Sequence, residues 1–340
     1  MSLALNSGTY YDEEKTMKNT KALIIYHGPH CNDGMTAAWI TYRVLKKRGI
    51  TAELYPMNYG EEEIEELLKF LRNNKHQLIY IVDFSIPIDD LQTVCDISSA
   101  SIHILDHHKS AFQMYGYDME EFSPHSVLTT TFCRGQVQVL LNNANGGAGI
   151  CWHYWNPGEA VPRLVAYVQD RDLWTFDMRS TKAIHMFIST REKTIAEWDI
   201  LHTSMEDDTV LDAIVKLGEL LLIEYNELVQ AIAAQAVPCT IHGENGMMVN
   251  CEGQYASDVG HILATTSGTY GLTFYESSDG EFIVCSLRAE GKYDVEVLAK
   301  KFGGGGHRAA AGFRIDLESA ASRFFAGSNS TDRQELQFNE

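Results

Sequence analysis

Ile104-Leu105-Asp106-His107-His108-Lys109 is an apolar run that ends abruptly in one carboxylate and two imidazoles. At the carboxyl end of a buried strand, such a group is costly unless each member has a partner. A metal ion would serve all three, although adjacent histidines also occur on solvated loops. The stretches upstream decide between these readings.

Ala22-Leu23-Ile24-Ile25-Tyr26 is a short apolar run, followed by the polar loop His27-Gly28-Pro29-His30-Cys31-Asn32-Asp33-Gly34. Met35, Ala38, Trp39, Tyr42 and Leu45 then recur on one helical face, and Gly49 is a natural stop. The unit of strand, loop and helix repeats. Leu54 and Tyr55 close a second strand, residues 61–72 form an acidic helix, and Leu78 to Val82 is an apolar run ending in Asp83. Residues 88–97 read as helix, and Ser101 to Leu105 as the next strand. Strands alternating with helices at this spacing predict a parallel sheet covered on both faces, with ligands beyond the carboxyl ends of its strands.

Three successive strands therefore deliver His27 with Asp33, then Asp83, then Asp106-His107-His108 to one sheet edge. Any one of these residues can be a cap, a turn former or a surface charge. Together they are the ligand set of divalent ions that accept oxygen and imidazole. Residues 111–145 read as an irregular insertion over that edge. Gly146-Gly147-Ala148-Gly149 opens an apolar helix through Trp155, so its first amides are placed to face an anion or to make close backbone contact. A further helix over 161–169 runs into Gln169-Asp170-Arg171-Asp172-Leu173-Trp174.

The chain has 340 residues, more than one compact core usually holds, and two domains are the expectation. Residues 206–236 read as one long helix, with Leu211, Ile214, Leu217, Leu220, Leu221, Tyr225 and Leu228 at helical spacing. The fold class is α/β, with a leader over 1–20, a parallel-sheet domain over 21–205, this connecting helix, a smaller α/β domain over 237–325 and a tail over 326–340. The second domain carries Phe302-Gly303-Gly304-Gly305-Gly306-His307-Arg308. Four glycines in a row make little sense as structure alone, because each loses extra backbone entropy on folding. Their bare amides let a phosphate approach, with His307 and Arg308 supplying donors or charge.

A formal net charge of -19 argues against non-specific binding along duplex phosphate, so a nucleic-acid substrate is expected to be short and locally gripped. Seven cysteines without a Cys-x-x-Cys pair suggest neither a disulfide framework nor a zinc knuckle. No apolar stretch reaches membrane-spanning length, and a cytoplasmic location with no membrane partner is the expectation.

Taken in order, His27-x-x-x-Cys31-x-Asp33-Gly34, Asp83, Asp106-His107-His108, Asp170 and the loop from Gly303 to His307 resemble the motifs of the DHH phosphoesterase superfamily and its DHH-associated carboxyl-terminal domain. The resemblance spans roughly residues 21–316. It implies two manganese ions, with Asp83 bridging them, His27 on the first, and Asp33, His107 and Asp170 on the second. Between Asp170 and Asp172 the ligand assignment stays open; motif spacing favours Asp170, which would leave Asp172 as a supporting group. His108 would contact the scissile phosphate or assist the leaving group, and Asp106 would orient the imidazoles. Gly303, Gly304, Gly305, Gly306, His307, Arg308 and Arg288 would grip substrate phosphates. Cys31 stands where much of the family has an aspartate, so it is either a softer ligand of the first ion or a buried bystander, and Mg²⁺ or another divalent ion is compatible with it.

The resemblance implies a metal-dependent phosphoesterase acting on a short single-stranded oligonucleotide or small phosphorylated nucleotide, with an exonuclease among its relatives. A homodimer is compatible with this reading. An exopolyphosphatase or pyrophosphatase activity is the second reading. A nucleotide-binding sensor that lost catalysis through Cys31 is the third, from a different class.

Overall fold

The computed structural model describes residues 20–277, 280–291, 293–317 and 337–338. The expected leader, Thr20 apart, and the expected tail, residues 337–338 apart, lie outside the described residues. In chain order the main elements begin β1 (Lys21–His27), α1 (Asn32–Lys47), β2 (Thr51–Met57), α2 (Glu61–Asn73), β3 (Leu78–Val82), α3 (Ile88–Ile97), β4 (Ser101–Asp106) and α4 (Lys109–Met114). They continue with β5 (Val127–Phe132), β6 (Val137–Asn142), α5 (Gly147–Trp155), α6 (Arg163–Asp172), α7 (Thr181–Ser189), α8 (Ile195–Met205) and α9 (Asp208–Ala233). After α9 come β7 (Val237–Ile241), β8 (Glu244–Asn250), α10 (Ala256–Ser267), β9 (Tyr270–Glu276), β10 (Phe282–Ala289), α11 (Val295–Lys300), β11 (Gly305–His307), β12 (Ala310–Asp316) and β13 (Gln337–Phe338).

The first sheet has the strand order β2-β1-β3-β4-β6-β5. Its strands run parallel except for β5, which pairs antiparallel with β6. Alternation along each strand divides the core in two, because successive side chains point to opposite faces. Ala22, Ile24, Tyr26, Tyr80, Val82 and Leu105 share one cluster with residues of α1, α5, α6 and α8. Leu23, Ile25, Ile79, Ile81, Ile102 and Ile104 share the other with residues of α2, α3 and α4. Each fully buried aliphatic side chain contributes roughly 1.5–3 kcal/mol, so both faces are held firmly.

Register brings the functional positions to one level. Tyr26 pairs with Val82 and Val82 with Leu105, so His27, Asp83 and Asp106 each lie one residue beyond that line. The chain leaves β1 first towards β2 and later crosses back to β3 on the other side. This reversal makes a crevice at the carboxyl ends of β1 and β3, where such sheets bind ligands.

The stretch 111–145 departs from the expected insertion. It supplies β5 and β6, which extend the sheet, and β6 pairs with β4 so that Asp106 lies opposite Leu141. The polar alternation Val137-Gln138-Val139-Leu140 concealed a strand whose Val137, Val139 and Leu141 are fully buried. Two helices without an expectation, α7 and α8, also matter. Trp198 of α8 donates its indole N–H to Thr36 Oγ1 at 2.9 Å, and Trp39 donates to Asp199 Oδ1 at 2.9 Å, fixing α1.

The chain divides into two compact units: the described residues up to His107 with Ala111–Lys216, and His108–Ser110 with those from Leu217 onward. The dividing point thus falls inside α9, a helix of 26 residues. The second unit is built on a mixed sheet ordered β11-β12-β10-β9-β8-β7-β13. Leu272, Cys285, Leu287, Leu298 and Phe313 form a core on one side, and Val229, Val249, Val259 and Leu263 a smaller one.

His103 on β4 stacks on Tyr80 with ring centroids 4.9 Å apart, and its nitrogens lie 3.3 Å from Tyr154 Oη and 3.3 Å from Ser101 Oγ. Burial pulls its pKa from 6.5 down to about 4. The imidazole is therefore neutral in the fold, while the unfolded chain takes up a proton near its ordinary value. Stability is fully present above pH about 6.5 and falls as pH drops towards about 4. Chemical denaturation of His103→Gln against the natural chain should recover on the order of 1–3 kcal/mol of this acid loss.

Candidate metal centre

Asp83 follows the last residue of β3 and takes a left-handed conformation, φ 53°, which aspartate tolerates better than most residues. Its amide donates to Leu105 O at 2.9 Å, which anchors the turn to β4. The two carboxylate oxygens then face different groups. Oδ2 accepts from Cys31 Sγ at 3.4 Å and lies 3.7 Å from His27 Nδ1. Oδ1 lies 3.1 Å from His107 Nε2. Gly147 makes this arrangement possible, because a Cβ there would stand 2.4 Å from Asp83 Cβ and 2.7 Å from Oδ1.

Asp33, 2 % exposed, sits in the first turn of α1. Its carboxylate accepts from the amides of Gly147 at 2.6 Å and Ala148 at 2.9 Å. The anion at the start of the glycine-rich helix α5 is thus Asp33 itself, stabilised by free amides and the positive end of the helix dipole. Burial nonetheless pushes its pKa well up, as do Asp83 and Asp172, and the two amides only partly oppose them.

His107 Nε2 is also 3.4 Å from Asp172 Oδ2 and 3.9 Å from Asp33 Oδ2. Burial disfavours its charged form, but Asp172, Asp83 and Asp106 outweigh burial and push its pKa up to about 9. Asp106, completely buried, accepts from Ser85 Oγ at 2.6 Å and from the His107 amide at 2.7 Å. These bonds fix the backbone from which the His107 ring projects. Ser85 had no distinguishing signal in the sequence. Tyr59, whose ring centroid is 4.4 Å from that of Phe84 and 5.6 Å from that of His27, could have been found as a side chain beyond the carboxyl end of β2.

Several side chains thus offer donor atoms within 4.8 Å of one another: His27, Cys31 and Asp83 in one group, Asp33, His107 and Asp172 in another, with Asp83, Asp106 and His107 also close. Carboxylates crowd a buried imidazole and favour a positive charge at its Nε2 position, which a cation can supply in place of the proton. A divalent cation fits this charge imbalance and this mixture of oxygen, nitrogen and sulfur donors.

Asp170 has a different place from the one its spacing suggests. Its Oδ1 accepts from Thr175 Oγ1 at 2.7 Å and Asp177 N at 2.8 Å, and its Oδ2 from Thr181 Oγ1 at 2.5 Å and Met178 N at 3.3 Å. Burial raises its pKa, but these bonds prevail and hold it below the usual carboxylate range. It secures a loop in which Trp174, Phe176 and Ser180 all have positive φ. Residues two positions apart on a helix face different sides, and it is Asp172 that reaches His107. Cys31 caps α1 by accepting from Gly34 N at 3.3 Å.

In the second unit, the glycine run has more structural cause than the sequence suggested. Gly303 has φ 75° and Gly306 φ 143°, while a Cβ on Gly304 would meet Gly312 O at 2.1 Å and one on Gly306 would meet Ala310 O at 2.6 Å. Gly305 alone of the four has an ordinary φ and open space where a Cβ would be. His307 pairs with Ala310 in the β11–β12 ladder, and its ring centroid is 5.8 Å from that of His108. The Arg308 carbonyl accepts from Val295 N at 2.9 Å. Arg288 donates to Ser257 Oγ at 2.8 Å and to Leu287 O at 2.9 Å.

Among known proteins, residues 252–329 match the DHHA1 domain. An uncharacterised protein of Acanthamoeba polyphaga mimivirus is 27% identical over 307 residues, 87% of this chain and 68% of that protein. RecJ of Thermus thermophilus, solved with Mn²⁺, aligns at 12% identity and a TM-score of 0.46, over 93% of this chain and 53% of that one. This chain thus spans about half the length of that RecJ. Another exonuclease RecJ, solved with manganese, aligns at 14% identity and a TM-score of 0.48, over 90% and 87%. A pGpG-specific phosphodiesterase, PggH of Vibrio cholerae, aligns at 10% and 0.44, over 90% and 97%. The chain thus carries a DHHA1 domain in its second unit, and in its parallel sheet β4 ends at Asp106, directly before His107 and His108.

Proposed function

We propose that the chain is a divalent-metal-dependent phosphoesterase that hydrolyses short single-stranded oligonucleotides or small phosphorylated nucleotides. One observation carries the reading: Asp83 divides its two oxygens between His27 with Cys31 and His107. A carboxylate so placed suits two neighbouring cations, and manganese accepts the oxygen and imidazole donors around it. When bound, a pair of such ions supplies an activated water and neutralises phosphoryl oxygens.

The residues of the chain divide the remaining tasks. His27, Asp83 and Cys31 form one ligand group, and Asp33, Asp83, His107 and Asp172 the other. Asp172 takes the place that the spacing of the motifs gave to Asp170, because the Asp170 oxygens are already saturated by the 175–181 loop. Asp106 orients His107 through its backbone. His108 contacts the scissile phosphate. Arg288, His307 and Arg308 bind substrate phosphates, and Gly305 leaves room for one beside its amide. In this reading residues 21–205 are the catalytic domain and 237–325 the substrate-binding domain.

Hydrolysis of a short RNA, a linear dinucleotide and polyphosphate, measured in parallel with Mn²⁺, tests the proposal. Release of nucleotides from either of the first two is expected; phosphate release from polyphosphate alone would overturn the substrate class. Asp83→Asn and His107→Ala should each lower turnover more than ~100-fold, beyond the loss typical of outer ligand partners, with unchanged circular dichroism.

Asp170 and Asp172 should separate cleanly. Asp172→Asn weakens metal binding in calorimetry and leaves thermal stability near that of the natural chain. Asp170→Asn and Thr181→Val cost roughly 1–3 kcal/mol of stability, as expected for hydrogen bonds to a buried charge. For the glycine run, Gly305→Val is expected to raise KM without lowering the melting temperature, whereas Gly304→Ala and Gly306→Ala destabilise by ~1–3 kcal/mol through overpacking.

A further inference from the structure

The ligand groups on the two sides of Asp83 differ in chemical softness. Asp33, Asp83, His107 and Asp172 present carboxylate oxygens and one imidazole. His27, Cys31 and Asp83 present one nitrogen, one sulfur and one oxygen, all within 4.8 Å. Among the described residues, Cys31 is the cysteine that falls into such a group. Its sulfur already points at the bridging carboxylate, 3.4 Å from Asp83 Oδ2.

The capping bond does not account for a thiol here. Cys31 accepts from Gly34 N at 3.3 Å, but sulfur is a weak acceptor, and Ser, Asp or Asn would cap α1 better. Nor is the thiol simply packing material, as Cys151, Cys239, Cys251 and Cys285 are in the cores. Cys31 stands at the polar end of β1, where its neighbours are an imidazole and carboxylates.

The geometry points to a centre of two unlike ions, with a thiophilic ion such as zinc or cobalt bound through the Cys31 thiolate, His27 and Asp83, and a harder ion such as manganese or magnesium on the oxygen-rich side. This rests on the two-ion reading proposed above and assigns the identity of its first ion. On binding, the Cys31 S–H bond breaks, its proton leaves to solvent, and the sulfur electron pair goes to the cation; nothing is oxidised or reduced. Thiolate selects borderline and soft cations, while carboxylate suits manganese and magnesium.

The test uses the full chain freed of metal and titrated with Co²⁺. The natural protein is expected to bind two Co²⁺ and to develop a thiolate-to-cobalt charge-transfer absorption in the near ultraviolet. Cys31→Ser, which keeps a good helix cap, should lose that absorption and still bind at the oxygen-rich side. Asp172→Asn should keep it. In a second arm, one equivalent of Zn²⁺ with excess Mn²⁺ should leave one of each per chain after desalting, and Cys31→Ser should retain Zn²⁺ at least ~10-fold more weakly. Two bound Co²⁺ without the absorption, or an absorption that survives in Cys31→Ser, overturns the assignment of sulfur while leaving the two-ion reading intact. Failure to bind any divalent ion overturns both.

Discussion

A carboxylate that is 1 % exposed cannot remain charged without compensation, and Asp83 is such a group. Removing an ion from water costs several kcal/mol even after the protein relaxes around it. Asp33 and Asp106 are buried just as deeply nearby. The architecture of the first unit is organised around making this concentration of negative charge tolerable. Its compensation comes from backbone amides, one serine hydroxyl and His107, whose charged form Asp172, Asp83 and Asp106 favour.

The compensation is unevenly distributed, and this explains which carboxylates have fixed partners. Asp106 is satisfied by Ser85 and the His107 amide, and Asp33 by two amides of α5. Asp83 faces side chains that are themselves ligand types. Helix α5 makes the difference, because its glycine start lets amides reach Asp33 while Gly147 yields the volume that Asp83 needs. Replacing either function with a larger residue would force the sheet edge apart. The glycine-rich start therefore acts on the protein's own anion.

Much of this was legible in the sequence wherever one physical signal dominated. The apolar runs of β1, β3 and β4 have no competing pattern, so the strand ends carrying His27, Asp83 and Asp106 could be aligned before their register was known. The stretch 111–145 was illegible for the opposite reason. Gln138 and Asn142 dilute β6, Thr129-Thr130-Thr131 dilutes β5, and an edge strand half in solvent carries little apolar periodicity. Ser85 and the α5 amides were hidden because their partners lie far along the chain. No local pattern reports a bond from Gly147 to Asp33 across 114 positions.

The pair Asp170 and Asp172 shows how a structural cost can be separated from a functional one. Both are acidic, and both end the same helix, so the sequence offers only spacing to choose between them. In the fold, Asp170 spends all its acceptor capacity on a loop whose residues at 174, 176 and 180 need holding in left-handed conformations. Asp172, with its side chain 30% exposed, lies instead 3.4 Å from His107 Nε2. The same subtraction applies to the glycine run. Close backbone packing or positive φ accounts for Gly303, Gly304 and Gly306, and leaves Gly305 unexplained by the fold. A residue whose identity the fold does not require is where a ligand's requirement becomes visible, and Gly305 is such a residue here.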